Sequence, residues 1–464
     1  MKITKLFFMA ALALTFAACS NDDNDIQSPV EQPAKAEGIT ITTTLAPKTN
    51  GATNRAVSEG TNEIVVEWAV NEHIAILYTK DATPYAADAT ITAVDGSGAA
   101  TITFTVEAGT PDNTACTLVY PLSAAKDDHT GVKDAATLLA DQDGTLSANL
   151  DVRVGAGTIQ TTTPGLTVTT DPAAQFSIFK FTIQNISAAA KSATEFKVSD
   201  GSGNVITTVT PTDASGELYV ALPVMAAGTY WFNATINSNP YIAKATVGTA
   251  TTAGNYYQST VKMATIGDVI LSDGKFAARS STGTKVAMIA YLGSETGEAA
   301  PCNHGLALAL SDENSGNTCK WSTSKTKVHT YNTTNSNNFT SESGLQYNDA
   351  THNSDTYPAF KAAIANNSTA APTGCSAWFL ASGYQWNKMI NACKNVLGTK
   401  NNYQDLRNGF NGISGASNLQ SACYWSSTEY NDKRAWDLNF INGNWSDDKK
   451  DDAYTCRVRA CLAF

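Results

Sequence analysis

The feature that most constrains this chain is an apolar–polar alternation with a period of two residues, which recurs over residues 38–264. It is clear in residues 39–43 and 99–106, and residues 195–209 read as two alternating segments around an Asp-Gly-Ser-Gly turn. A period of two places alternate side chains on opposite faces of a β-strand. Almost none of this stretch has helical spacing, so the sequence predicts two β-sandwiches, divided near residues 145–160.

Composition supports a β-rich chain and excludes several classes of protein. Only 16% of the 464 residues are charged, which is little for long exposed helices, whereas 42% are hydrophobic and 9% aromatic, which argues against wholesale disorder. The net charge of −11 would repel nucleic acid and anionic lipid. We therefore expect neither a nucleic-acid binder nor a coiled coil nor a polytopic membrane protein. The length suggests about three domains of roughly 150 residues.

The first 18 residues have the form of a signal peptide. Lys2 and Lys5 precede an uncharged run over residues 6–18, which is shorter than the ~20 apolar residues that span a bilayer. The run ends in Phe-Ala-Ala before Cys19 and resembles a lipobox, which implies a lipid on Cys19 and anchorage in the cell outer membrane. Ordinary signal cleavage is the alternative.

Residues 19–37 predict a flexible linker, because they are polar and contain Pro29 and Pro33. The acidic residues just after Cys19 resemble the surface-export signal of Bacteroidetes lipoproteins. The alternative interpretation is a solvated tether. The two interpretations are compatible if the tether also contains the export signal.

Short phrases in the β-rich part resemble fimbrillin-like proteins of Bacteroidetes. They are Asn54-Arg55-Ala56, Glu67-Trp68, His73-Ile74-Ala75-Ile76, Val119-Tyr120-Pro121, residues 216–223 and residues 254–257. The resemblance implies two transthyretin-like β-sandwiches, over residues 38–150 and 151–264, as in pilus subunits and their lipoprotein anchors or tips. It also implies fimbrial subunits as partners. Pilins of this family are cut after an Arg near the start of the first domain, and Arg55 stands in a comparable place.

From Ile266 onward the composition changes. Seven of the nine Cys and six of the eight Trp lie in this part. Residues 358–365 predict a short helix, and Ser382 with Gln385 forms a capping-box pattern before a second helix with one apolar face. The seven Cys allow up to three disulfides whose connectivity stays open.

The end of the chain predicts a β-hairpin and a closing strand. Asn442-Gly443 favours a two-residue turn, which would pair Ile441 with Asn444 and Phe440 with Trp445. In that register Phe440 and Trp445 share the buried face. The exposed face would consist of Asp437, Asn439, Ile441, Asn444, Ser446 and Asp448. The alternation over residues 456–464 predicts a last strand that closes the fold on its own C-terminus.

Ordered landmarks over residues 265–464 resemble the C-type-lectin-like domains of bacterial surface proteins, which implies an α+β domain. They include Ile266-Gly267-Asp268-Val269, Gly305–Leu310, Trp378-Phe379-Leu380, Tyr424–Glu429, Ala435-Trp436, Asn439-Phe440 and Val458-Arg459-Ala460. The run from Tyr424 to Phe464 resembles the variable proteins of diversity-generating retroelements, in which a reverse transcriptase rewrites adenines and Asn codons are the main targets. The exposed hairpin positions carry residue types that adenine changes produce. Trp425, Trp436, Phe440 and Trp445 would form the constant scaffold. The alternative is a solvated hairpin of a lectin-like domain that is not diversified.

Catalytic and cofactor motifs are missing from the sequence. None of the five His belongs to an HExxH pair, and neither a Gly-x-Ser-x-Gly elbow nor a phosphate loop occurs. Residues 447–452 combine four Asp with two Lys, which could suggest calcium but more simply predicts a solvated loop. We expect no enzymatic reaction, no cofactor and no metal.

These features predict a surface lipoprotein adhesin or receptor, with a ligand-binding head on a fimbrillin-like stalk. A structural fimbrial anchor or tip subunit is the alternative. The expected partner is a protein or glycan. The residues predicted to meet it are Tyr430, Asn431, Asp432, Arg434, Asp437, Asn439, Ile441, Asn444, Trp445, Ser446, Asp448 and Tyr454.

Overall fold

A computed structural model describes residues 37–48, 57–59, 64–327, 329, 339–397, 402–451 and 454–464. The predicted signal peptide, the lipidation site Cys19, the linker as far as residue 36 and the candidate processing site Arg55 lie outside these residues. In the part of the chain that is described, no helix is long and apolar enough to cross a membrane.

The chain is mainly β, as the alternation predicts, and its first part forms one seven-stranded antiparallel sheet in the order β1-β6-β5-β4-β7-β8-β9. The elements of this part are β1 (Ile39–Leu45), β2 (Val57–Glu59), β3 (Ile64–Val66), β4 (His73–Lys80), β5 (Thr83–Val94), β6 (Ala100–Val106), β7 (Thr114–Tyr120), α1 (Ala135–Leu138), β8 (Arg153–Gln160) and β9 (Gly165–Ala174). The pair β2–β3 stands apart from the sheet.

The first sheet curls until its edge strands meet. The hydroxyl of Thr43 on β1 donates to the carbonyl of Leu166 on β9 at 3.2 Å. The curl encloses a core that includes Ile41, Phe104 and Leu118. The sheet runs on to Ala174, past the predicted division near residue 150, because β8 and β9 continue the antiparallel ladder that β7 begins.

The second sheet has the order β12-β11-β14-β15-β16-β10-β13. Its strands are β10 (Ser177–Asn185), β11 (Glu195–Ser199), β12 (Val205–Val209), β13 (Glu217–Leu222), β14 (Gly228–Ile236), β15 (Asn239–Val247) and β16 (Tyr256–Thr265). The predicted hairpin over residues 195–209 is confirmed as β11–β12. Its turn is held by Asp200, whose carboxylate accepts from the backbone N–H groups of Ser202 and Asn204 at 2.9 Å each.

The C-terminal part combines helices with two sheets. Its elements are β17 (Val269–Leu271), β18 (Phe276–Ala277), β19 (Lys285–Leu292), β20 (Gly305–Ala309), α2 (Pro358–Ala365), β21 (Phe379–Leu380), α3 (Gly383–Val396), α4 (Asn402–Arg407), β22 (Cys423–Glu429), β23 (Arg434–Asn439), β24 (Trp445–Lys449) and β25 (Ala460–Ala463). One sheet has the order β18-β17-β19-β20-β25-β21, and β22, β23 and β24 form the other.

Both predicted helices are confirmed. The second begins at the predicted capping box, where the Ser382 hydroxyl accepts from the Gln385 N–H and the Gln385 side chain accepts from the Ser382 N–H. The closure on the C-terminus is also confirmed, since β25 lies between β20 and β21. This strand covers residues 460–463 instead of 456–464 and is buried on both faces because it is central in the sheet.

A continuous core joins the second sheet to the C-terminal part. Trp321, Trp386 and Trp425 are fully buried in it, together with Trp231 of β14 and Ile242 of β15. The three-stranded sheet that carries the predicted ligand residues is therefore packed against this continuous core.

Candidate functional site: the three-stranded sheet and its hairpin loop

The hairpin between β23 and β24 has a four-residue loop, so the predicted two-residue turn is wrong. Asn439 pairs with Asn444, since its N–H donates to the Asn444 carbonyl at 2.9 Å, and the Gly443 N–H donates back to the Asn439 carbonyl at 2.7 Å. Farther along the ladder Leu438 faces Trp445. Each residue of β23 therefore faces a partner two positions earlier than the predicted one.

Burial of Phe440 explains the longer loop. Its ring is fully buried and lies 5.8 Å from the ring of Trp386 and 5.4 Å from that of Tyr424. Its N–H donates to the Ala422 carbonyl at 2.9 Å, which removes Phe440 from the ladder with β24. Gly443 has a φ of 76°, which favours glycine, and Tyr403 packs where a side chain would stand.

A shift of two residues keeps the side chains that remain in the two strands on their predicted faces. We call one side of the hairpin the polar face; it carries Asp437, Asn439, Asn444, Ser446 and Asp448. We call the other side the aromatic face; it carries Arg434, Trp436 and Trp445. The predicted ligand residues are thus divided between two faces.

The aromatic face is a strip of packed rings. Trp445 is half-buried, and its Nε1 donates to Asn387 Oδ1 at 3.1 Å. The ring of Phe339 lies 4.8 Å from Trp445 and 5.5 Å from Trp436. The ring of Tyr430 lies 5.3 Å from Trp436 at the far end. The expectation that Trp445 shares one buried face with Phe440 is therefore wrong, because Phe440 belongs to the loop.

The polar face is more buried than predicted at Asp437, which has no exposed surface. Neither of its carboxyl oxygens has a hydrogen-bond donor among the described residues. Burial raises the pKa of Asp437 to about 9, and the nearby Asp448 and Asp447 raise it further. Asp437 is therefore protonated at neutral pH.

The segment before the last strand covers part of the polar face. Cys456 of this segment forms a disulfide with Cys423 of β22. Their sulfurs lie within 4.8 Å of a carboxyl oxygen of Asp437, but a disulfide lacks the thiolate that binds a metal. The remaining described Cys of this part are free, namely Cys302, Cys319, Cys375, Cys393 and Cys461.

The loop and the two ends of the hairpin are the most exposed part of the site. Ile441 is 60% exposed and Tyr454 38% exposed. Asp432, Arg434 and Asn444 are also exposed, and Arg434 pairs with Asp447 at 2.7 Å. The half-buried members are Tyr430, Asn431, Asn439, Trp445, Ser446 and Asp448.

A buried ion pair that sequence reasoning missed supports the other end of the hairpin. The Lys450 ammonium contacts the Glu429 carboxylate, and both side chains are fully buried. The amine lies 4.9 Å from the ring centroid of Trp321, and burial lowers the pKa of Lys450 although Glu429 attracts the charge. The prediction of a solvated loop is therefore wrong over residues 447–450, because residues 447–449 belong to β24 and Lys450 is buried. A run of charged residues in the sequence does not indicate which of them is buried in the fold.

A second buried ion pair fixes the last strand. Arg459 is fully buried and its Nε donates to Asp312 Oδ1 at 2.9 Å. Asp312 also accepts from the Tyr424 hydroxyl at 2.8 Å. Asp312 thus joins β22 to the segment just before β25. These contacts fix the sheet that carries the hairpin to the rest of the C-terminal part.

Solved structures of fimbrial proteins are similar to this chain. A fimbrial protein from Bacteroides ovatus is 14% identical, with 86% of this chain and 95% of that chain covered and a TM-score of 0.33. A C-terminally truncated tip fimbrial protein from Porphyromonas gingivalis is 7% identical, with 48% and 94% covered and a TM-score of 0.25. A fimbrial assembly protein from Parabacteroides distasonis is 11% identical, with 48% and 90% covered and a TM-score of 0.27.

No protein-family model and no curated protein matches the chain. The TM-scores of the similar structures lie below 0.5, so these likenesses establish neither a shared family nor a shared activity.

Proposed function

We propose that the chain is a cell-surface adhesin that binds a protein or glycan ligand at the loop end of the three-stranded sheet. The observation that supports this most is the exposure of Ile441, a large apolar side chain, in the loop that precedes the exposed Asn444 and the half-buried Trp445. In binding surfaces, aromatic and Arg residues contribute most of the energy, and this site offers Trp445, Tyr454 and Arg434.

The frame beneath the loop supports the same role. Phe440 anchors the loop from inside, and the disulfide and the two buried ion pairs hold the strands. Binding groups lose less entropy when their supports are rigid. Exposed residues on such a frame can change without changing the fold.

The sequence supports a position outside the cell. In our proposal the lipid on Cys19 anchors the chain in the outer membrane. Residues 38–264 form the stalk, and residues 265–464 form a C-type-lectin-like head. The role is binding, with no reaction.

We also propose that the hairpin is diversified by a retroelement. Asn439, Asn444 and Ser446 lie on one face of the ladder, while Trp425 and Phe440 are buried. A nearby reverse-transcriptase gene and a near-copy of the last ~40 codons, differing only at adenines, are expected; this length is an order-of-magnitude estimate from the hairpin and the closing strand. A genome in which neither is present would rule out diversification and leave the adhesin proposal standing.

A binding experiment tests the adhesin proposal. The full chain is probed against glycan and protein arrays, and every ligand found is titrated against the variants Ile441→Ala and Trp445→Ala. Val205→Ala is a matched control, because Val205 on β12 is 57% exposed and lies outside the hairpin. Loss of affinity of tenfold or more in the hairpin variants alone supports the proposal. Binding unaffected by them, together with loss of fimbriae on gene deletion, would favour a structural fimbrial anchor or tip.

A further inference from the structure

A buried lysine lies against two carboxylates at the end of the first strand. Lys48 follows β1, and its side chain has no exposed surface. Its Nζ lies 3.3 Å from Asp151 Oδ2 and 3.8 Å from Glu72 Oε2. The rings of Trp68 and Tyr120 enclose the amine, with centroids 4.1 and 3.6 Å from Nζ. A lysine amine rarely stands so far from water.

The surroundings make the uncharged, nucleophilic form of the Lys48 amine easier to reach. Burial lowers the pKa of Lys48 to about 8, although Asp151 and Glu72 attract the charged form. No acceptor among the described residues has hydrogen-bond geometry to Nζ. Near neutral pH a minor fraction of such an amine is uncharged, and that fraction has a lone pair available for bond formation.

Arg153 makes the carboxyl carbon of Asp151 more reactive towards a nucleophile. The Arg153 Nε donates to both Asp151 oxygens, at 2.8 and 2.9 Å, and the Asp151 side chain is only 3% exposed. A fixed guanidinium in a dry site stabilises the negative charge that develops on a carboxyl oxygen when a nucleophile adds to the carbon.

Glu72 is placed to move the protons. Its Oε1 accepts from the Tyr120 hydroxyl at 2.7 Å, and its Oε2 accepts from the Ala69 N–H at 3.0 Å. These two bonds hold the carboxylate in place 3.8 Å from Nζ. A carboxylate at this position can take a proton from the amine and return it to a leaving oxygen.

We propose that Lys48 and Asp151 form an intramolecular amide bond. Nζ adds to Cγ of Asp151, the Nζ–Cγ bond forms, and one Cγ–O bond breaks. Counted from the ammonium–carboxylate pair, Nζ gives up two protons; Glu72 accepts them in turn and delivers them to the departing oxygen, which leaves as water, so Glu72 ends unchanged. Lys48 and Asp151 supply all the atoms, and the step needs no oxidant or activated cosubstrate.

The bond would close the chain between the end of β1 and the start of β8. Tension applied at the N-terminus would then pass from Lys48 to Asp151 and bypass residues 49–150. If the chain is cut after Arg55, the N-terminal segment would stay covalently attached. The enclosing rings of Trp68 and Tyr120 exclude the water that would reverse the reaction.

Peptide mapping of the full chain tests the proposal. After digestion with trypsin, the amide predicts one branched peptide that joins residues 36–55 to residues 134–153, with a mass one water below their sum. Trypsin will not cut at Lys48, because its amine is blocked. A water lost within an unbranched peptide would indicate a succinimide and would contradict the proposal.

Three variants give the controls. Lys48→Arg should yield separate peptides, and Glu72→Gln should form the branched peptide at least tenfold more slowly. Asp151→Asn should form the same amide with loss of ammonia instead of water. Circular dichroism establishes that each chain is folded. Separate peptides from the folded wild-type chain would overturn the proposal whatever the variants do, and the adhesin proposal would be unaffected.

Discussion

The Nε2 atoms of His329 and His352 lie 3.0 Å apart in the interior of the C-terminal part. The Nδ1 of His329 lies 3.0 Å from the Ser427 carbonyl oxygen, and the Nδ1 of His352 lies 2.9 Å from Asp349 Oδ1. Because both oxygens are acceptors, each Nδ1 carries a hydrogen. The two Nε2 atoms therefore face each other as acceptors, and protonating both rings would set two positive charges in contact.

This pair predicts that the free energy of unfolding falls as the pH falls from about 6.5 towards 3. Burial, followed by the nearness of His352, lowers the pKa of His329 to about 3. The unfolded chain binds a proton in this range that the folded chain does not, so folding loses about 2 kcal/mol between pH 6.5 and 5. Urea unfolding over a pH series measures this loss.

His329→Gln should reduce the pH dependence by about one bound proton. His129→Gln, at an exposed position, controls for the removal of a histidine from the chain. Glu429 accepts from the His329 N–H and Lys450 also acts on the ring, so both must stay unchanged in these variants. An unchanged slope in His329→Gln would contradict the lowered pKa of His329 in the folded chain.

Asp437→Asn should stabilise the chain at neutral and higher pH. Burial raises the pKa of Asp437 to about 9, so the folded state keeps a proton that the unfolded state releases above its ordinary value near 4. The stability that this carboxyl contributes is complete at acid pH and is lost as the pH rises towards 9. An amide cannot ionise, and the expected gain is roughly 1–3 kcal/mol at pH 8 in urea unfolding.

The same comparison at pH 3 should show little difference, because Asp437 is then mostly protonated in both states. Asp432→Asn is the control for removal of an exposed carboxylate. A loss of stability in Asp437→Asn at pH 8 would show that the carboxylate is ionised in the fold.

Local signals predicted the elements whose geometry is set by neighbours in sequence. The alternation in residues 195–209 gave a hairpin because Asp200 closes the turn with hydrogen bonds to residues two and four positions later. The helix beginning at Gly383 was predictable because its capping box involves only Ser382 and Gln385. Such contacts depend on short spacing alone.

Distant contacts decided the rest of the site. The Asn442-Gly443 signal favoured a two-residue turn, but packing of Phe440 against Trp386 on α3 lengthened the loop. Asp437 is buried because the segment bonded to Cys423 by the disulfide covers its face. The alternation in the sequence predicts on which face of the strand a side chain lies, but not which distant segment packs against that face. It therefore identifies neither Trp386 as the partner of Phe440 nor the disulfide-bonded segment as the cover of Asp437.

Lys450→Met should destabilise the fold by about 3–5 kcal/mol, because it leaves the Glu429 carboxylate buried without its partner. The double variant Lys450→Met with Glu429→Gln should recover most of this loss, since no buried charge remains. Lys433→Met, at an exposed position in the turn before β23, is the matched control. Equal unfolding midpoints for Lys450→Met and Lys433→Met would show that the pair contributes nothing to stability.

Loss of the Cys423–Cys456 disulfide should lower stability and loosen β23. The bond closes a chain separation of 33 residues, and bonds of this kind contribute roughly 2–4 kcal/mol. It also holds the segment that covers Asp437, so a double Cys423→Ala and Cys456→Ala variant should exchange the amide hydrogens of β23 faster. Cys302→Ala, which removes a free thiol, is the control. If the amide hydrogens of β23 exchanged as slowly in the double variant as in the control, the disulfide would not be what protects the polar face.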